Sequence, residues 1–132
     1  MSSVIEVVAL ALQRQSDLKF MIARRGPGQN GAGDWEFPGG KIEPQETQTE
    51  SLIREINEEF AFQLDEQKLV FVGTREHNYP ERVIRLHLWR ALIAVEPVFV
   101  LSEHDQVTWC YPQEMQGYPM SAADIPFIEK LI

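Results

Sequence analysis

Very little in this sequence points away from a simple globular domain, and each shortage excludes something. There is one cysteine, Cys110, in 132 residues. No intrachain disulfide can form, and the thiol reads as a small buried hydrophobe in a reducing compartment. No apolar run approaches the ~18 residues that a membrane span requires. The N-terminal run from Val4 to Leu12 is interrupted by Glu6 and has neither a basic flank nor a small-residue cleavage site. It reads as a strand and not as a signal peptide. Basic residues are scarce as well: 12 Lys and Arg against 20 Asp and Glu leave a formal charge of −8. Such a field repels polyanions, so no stable nucleic-acid binding is expected, and no membrane partner either. Repeats, low-complexity tracts and linkers are absent. With 44% hydrophobic and 24% charged residues, the chain reads as one domain over 1–132, cytoplasmic, as a monomer or a weak homodimer.

Glycine and proline are concentrated rather than scarce. The segment from Gly26 to Gly40 holds six glycines and two prolines and is expected to be loop. On its N-terminal side, Val4 to Gln13 and Leu18 to Ala23 form two apolar, β-branched-rich runs, a hairpin-like pair. On its C-terminal side, Thr47 to Phe60 is the best helix. Thr47-x-x-Glu50 has the capping-box form, and Leu52, Ile53, Ile56 and Phe60 recur at helical spacing. Leu69 to Gly73, Val83 to Val95 and Val107 to Cys110 read as strands, and Ser121 to Ile132 as a closing helix capped by Ser121. Strands outnumber helices, which suits a mixed sheet with a helix packed on each side, an α/β (α+β) arrangement.

The acid is not spread evenly. Eight of the carboxylates lie between Asp34 and Glu59, against only Lys41 and Arg54. At about 100° per residue, Glu55, Glu58 and Glu59 fall at roughly 0°, −60° and +40° on the helix, beside the apolar stripe and not opposite it. Like charges at these spacings destabilise an isolated helix by a few tenths of a kcal/mol per pair. A solvated acidic face would account for many Glu-rich helices. Here only Arg54 relieves the cluster, and a Gly-Gly loop ends just before it. Hard divalent cations such as Mg²⁺ favour carboxylate oxygen and complete their shells with water and substrate phosphate.

These residues match a known pattern. Gly40-x5-Glu46-x7-Arg54-Glu55-Ile56-x-Glu58-Glu59-x-Ala61-Phe62 resembles the Nudix box, G-x5-E-x7-R-E-U-x-E-E-x-G-U, with every charged position kept. Trp35-Glu36-Phe37-Pro38-Gly39-Gly40-Lys41, the Arg24-Arg25 pair and Tyr118-Pro119-Met120-x-x-Ala123-Asp124-x-Pro126 are similar to further stretches of its MutT-like branch. The resemblance implies the Nudix fold, an α/β/α sandwich on a mixed sheet, and hydrolysis of a nucleoside diphosphate linked to a group X. In this branch that means Mg²⁺-dependent cleavage of a nucleoside triphosphate to a monophosphate and pyrophosphate. Two positions depart from the pattern. Ala61 stands where the box has glycine and Phe62 where an aliphatic residue is common. Ala61 in a left-handed turn would cost about 1 to 2 kcal/mol, a matter of stability more than of chemistry.

By the same resemblance, Glu55, Glu58 and Glu59 are metal ligands and catalytic acids, with the backbone carbonyl of Gly39 as a further ligand and Mg²⁺ as the cofactor, for which Mn²⁺ can substitute. Glu103, in the loop before the Val107 strand, is a candidate for an additional metal-ligating, catalytic carboxylate. Gly40, Glu46 and Arg54 are structural support, the latter two as an ion pair holding the loop on the helix. Arg24 and Lys41 are the candidate phosphate contacts, and Phe37 could stack on the base. Asp124 stands where the branch reads the base edge. An ionised Asp only accepts and suits the amine of cytosine; a protonated one could read an oxidised guanine. His77, His87 and His104 share no spacing that suggests a joint site and read as structural. Two further readings stay open: another nucleoside diphosphate-X substrate, such as ADP-ribose or a nucleotide sugar, and a catalytically weakened nucleotide-binding module, for which only Ala61 speaks.

Overall fold

The computed structural model describes residues 3–132. Seven strands form one sheet: β1 (Ser3–Arg14), β2 (Phe20–Arg25), β3 (Trp35–Glu36), β4 (Gly39–Lys41), β5 (Val70–Tyr79), β6 (Arg82–Ile93) and β7 (His104–Cys110). The path runs β3-β2-β1-β6-β5, with β4 paired to β1 and β7 to β2. Only β1 and β6 run parallel; the other pairings are antiparallel, so the sheet is mixed.

Strand alternation divides the core into two layers. From β1, Ala9 and Ala11 face one way, where Phe20, Ile22, Leu86, Leu88, Met115, Phe127 and Leu131 pack. Val8, Leu10 and Leu12 face the other way, onto Leu52, Ile56 and Phe60 of the helix α1 (Gln48–Phe60). α1 starts where its sequence indicates. The Thr47 hydroxyl accepts from the Glu50 amide at 3.2 Å, and the Glu50 carboxylate accepts from the Thr47 amide at 2.9 Å. No helix among the described residues is long and apolar enough to cross a membrane.

Three expectations need correction. The Gly26 to Gly40 segment is not all loop, because β3 and β4 lie within it. Gly39 can pair with Ala9 because a side chain there would collide with the Val8 carbonyl. The closing segment is not an α-helix capped by Ser121 but a 3-10 helix over Ile125–Leu131, with Asp124 at its start making no side-chain cap bond. Pro126 lacks the amide that a longer helix would use, and a second 3-10 turn, Pro112–Gly117, packs beside it. Short 3-10 turns therefore form the second outer layer of the sandwich. Finally, β5 runs on to Tyr79, well past Gly73, as a long hairpin with β6.

Candidate active site

α1 carries the acids to the foot of β4. The approach there is so close that a side chain at Gly40 would collide with the Glu55 carboxylate. Glu55, Glu59 and Glu103 line one cleft together with Arg25, Glu36, Gly39, Gly40, Lys41 and Arg82. A smaller pocket adjoins it, sharing Arg25, Glu36, Gly39, Gly40 and Arg82 and adding Phe37, Tyr79 and Asp124. The two pockets thus form a long acidic cleft with a compact, partly aromatic end.

Glu59 is strongly perturbed. Its side chain is buried, its Oε2 has no hydrogen-bond partner, and its pKa is pushed up to about 10 by burial and by the nearby Glu103, Glu55 and Glu36. Burial also raises Glu55, against the opposing pull of Arg54. Asp124 is fully enclosed and held well above the usual carboxylate range, first by burial and then by Glu36; the Phe37 amide donates to its Oδ2 at 3.1 Å. Buried carboxylates this close to one another either bind protons or require a cation.

Arg54 fixes the loop against the helix. Its Nε donates to Glu46 Oε2 at 2.6 Å, and its Nη2 donates to Glu46 Oε1 at 2.9 Å and to the Lys41 carbonyl at 3.2 Å. That bidentate contact holds the Glu46 carboxyl near 2.

Comparison with known proteins gives a consistent answer. A family model described as a NUDIX domain matches residues 8–130. The chain is 37% identical to the CTP pyrophosphohydrolase of Escherichia coli (strain K12) over 125 residues, which is 95% of this chain and 89% of that protein. The chain belongs to the Nudix family. It is also 40% identical to an 8-oxo-dGTP diphosphatase of Proteus vulgaris over 65 residues, 49% of this chain and 56% of that protein. The solution structure of the E. coli ORF135 protein superposes with a TM-score of 0.80 at 35% identity, covering 98% of this chain and 89% of that one.

The Nudix-box glutamates do not all face the same way. Glu55 and Glu59 line the cleft, whereas the Glu58 side chain is 58% exposed and ion-paired with Arg54 at 3.2 Å. The third acid beside Glu59 is Glu103, from the loop before β7. Among the described residues no set of three acid, His or Cys side chains is already drawn into a finished metal cage. The residues nevertheless fit a hard cation. The unpartnered Glu59 Oε2, the neighbouring Glu55 and Glu103, and the bare Gly39–Gly40 backbone of β4 supply an oxygen-only donor set in a negatively charged recess.

Phe37, Lys41 and Asp124 line the cleft or its compact end. Arg24 lines neither part; its guanidinium is paired with Asp105 at 2.8 Å and lies over the Trp35 ring. Its neighbour Arg25 lines the cleft with the acids instead, as do Lys41 and Arg82. Sequence reasoning missed Arg25, Glu36, His104, Tyr79 and Arg82. For Arg25 a signal existed, because Met21 and Ala23 face α1 and a period of two carries Arg25 to that face with them. For the others, the contacts that bring them to the cleft join separate strands, as in the Glu36–His104 pair, and no local spacing marks them.

Proposed function

We propose that this Nudix hydrolase cleaves nucleoside triphosphates to the monophosphate and pyrophosphate, using Mg²⁺ or Mn²⁺, with cytosine nucleotides as its preferred substrates. The observation that carries this reading is the continuity of the two pockets: an acidic recess opens directly into a compact one closed by Phe37 and the enclosed Asp124. A polyphosphate and its nucleoside need that pairing of environments. The likeness to a CTP pyrophosphohydrolase over nearly the whole chain supports the same substrate class.

Glu55, Glu59 and Glu103 would hold the metal, which when bound supplies charge neutralisation along the polyphosphate. The chain's own residues do the rest. Lys41, Arg25 and Arg82 line the cleft as counter-charges for phosphate oxygens. Arg54, fixed by Glu46, keeps the β4 loop and α1 in register, so that the Glu55 carboxylate stays against Gly40. A carboxylate of the recess takes the proton of the attacking water, the P–O bond breaks, and pyrophosphate leaves with the electron pair of that bond. At the other end Phe37 borders the base. Burial favours the neutral form of Asp124, which presents one donor and one acceptor. That pair complements the ring nitrogen and exocyclic amine of cytosine. A neutral acid can equally face the donor and acceptor of an oxidised guanine, and the likeness to an 8-oxo-dGTP diphosphatase makes this the second reading.

The test is a turnover screen over the common and the oxidised nucleoside triphosphates with Mg²⁺, with and without added pyrophosphatase. Phosphate appearing only when pyrophosphatase is present, fastest with CTP or dCTP, is the expected result. Faster hydrolysis of 8-oxo-dGTP establishes the second reading, and no hydrolysis of any triphosphate rejects both.

A further inference from the structure

The wall shared by the two pockets is built around Glu36, a carboxylate whose side chain is only 11% exposed. Its Oε1 accepts from Arg25 Nε at 2.8 Å. Its Oε2 is bonded to His104 Nε2, also at 2.8 Å. Arg25 in turn donates to the Asn30 carbonyl at 2.6 Å, which ties the glycine-rich loop to the same wall. A carboxylate oxygen accepts, so His104 Nε2 carries the hydrogen. His104 is itself almost completely enclosed. Its ring stacks on Phe60, the last residue of α1, with centroids 5.0 Å apart, and its Nδ1 has no partner. The register shift in β2 between Arg24 and Arg25, opposite the start of β7, accompanies this placement, and Gly26 allows the two strands to approach, its amide donating to the Glu103 carbonyl at 3.1 Å. A buried histidine whose one hydrogen bond is spent on a carboxylate of the cleft does more than fill space.

We propose that His104 is a positioning residue, holding Glu36 and through it the Arg25 guanidinium at the junction of the two pockets, so that phosphate chain and nucleoside are gripped in one register. The proposal rests on the nucleotide reading of the cleft. His104 does not reach the reacting atoms. It acts through Glu36, so its loss should loosen substrate grip more than it slows chemistry.

Five proteins test this: wild type, His104→Phe, His104→Gln, Glu36→Gln and the double variant Glu36→Gln/His104→Phe, the last compared with Glu36→Gln. Phenylalanine keeps the stacking on Phe60 and removes the donor; glutamine keeps a donor. Two quantities are read. The NMR signal of the Arg25 Nε–H in the substrate-free protein reports its bond to Glu36, and KM and kcat are measured on the best triphosphate. In His104→Phe the Arg25 signal should lose its exchange protection and KM should rise about tenfold, as for other residues that orient a binding group, with kcat changed far less. His104→Gln should recover most of both, and the double variant should be no worse than Glu36→Gln alone. Retention of the Arg25 signal and of KM in His104→Phe, with only a lower Tm, would overturn the proposal, as would additive losses in the double variant. If His104→Phe does not fold, His104→Leu, which likewise removes the donor, takes its place: loss of the Arg25 signal with a raised KM supports the relay, and retention of both rejects it. If the wild type hydrolyses no triphosphate, the functional reading fails, while the Arg25 signal still decides the relay without any substrate.

Discussion

Ala61 occupies the left-handed position after α1, with φ 54° and ψ 39°, its amide donating to the Asn57 carbonyl at 3.0 Å. The family's turn is therefore kept, on a residue with a Cβ. Ala61→Gly should relieve that strain and stabilise the fold by roughly 1 kcal/mol, with turnover at 25 °C almost unchanged. Urea denaturation checks the sign, and a lower midpoint would mean that the turn carries no strain. Asp124 gives a second prediction at this scale. Its folded pKa lies above that of the unfolded chain, so between the two the native state binds more protons and stability falls as pH rises. Asp124→Asn keeps an acceptor for the Phe37 amide and has no proton to lose. Its Tm should fall less than that of the wild type between pH 5 and pH 8; parallel profiles would show that Asp124 does not pay an ionisation cost.

At the level of elements, α1 is the piece on which the cleft depends, and its capping box is its anchor. Thr47→Ala should cost about 1 kcal/mol of stability, measured by thermal or urea unfolding, while activity per folded molecule stays near wild type; unchanged stability would mean that packing alone sets where the helix starts. α1 was legible in the sequence because its cap, its stripe and its end are all local signals, and β1 and β6 were legible as long apolar runs. What the sequence hides is non-local. β3 and β4 are too short to show a period and exist because β2 and β1 offer them edges. The closing segment has helical spacing, but Pro126 and packing against the sheet leave it as 3-10 turns. Within the cleft, the box glutamates are legible as a motif. That Glu58 turns out to Arg54 while Glu103 turns in beside Glu59 depends on how β7 meets α1, which no local spacing encodes.

Across the whole molecule, the charge of −8 is concentrated in the segment that lines the cleft, so the site is held together against its own repulsion. Without metal, the pKa of Glu59 stands at about 10 against an ordinary 4.5. Its protonated form is favoured in the native state, and metal-free stability should fall as pH climbs from about 5 towards 9. A bound cation would replace that proton, so metal binding at pH 7.5 should release protons, detectable as a calorimetric heat that changes with the ionisation enthalpy of the buffer. A buffer-independent heat would argue against Glu59 as a ligand.

The most direct test of the account is the effect of Mg²⁺ on the Tm of the wild type and of Glu59→Gln, alongside their turnover. A ligand bound only to the native state stabilises by about 2.7 kcal/mol at a hundredfold excess over Kd. The wild type should gain Tm with millimolar Mg²⁺. Glu59→Gln should be at least as stable as the wild type without metal, gain little from adding it, and lose several orders of magnitude in kcat. If Mg²⁺ leaves the wild-type Tm unchanged and Glu59→Gln turns over normally at saturating Mg²⁺, the acids are a strained wall and not a metal site.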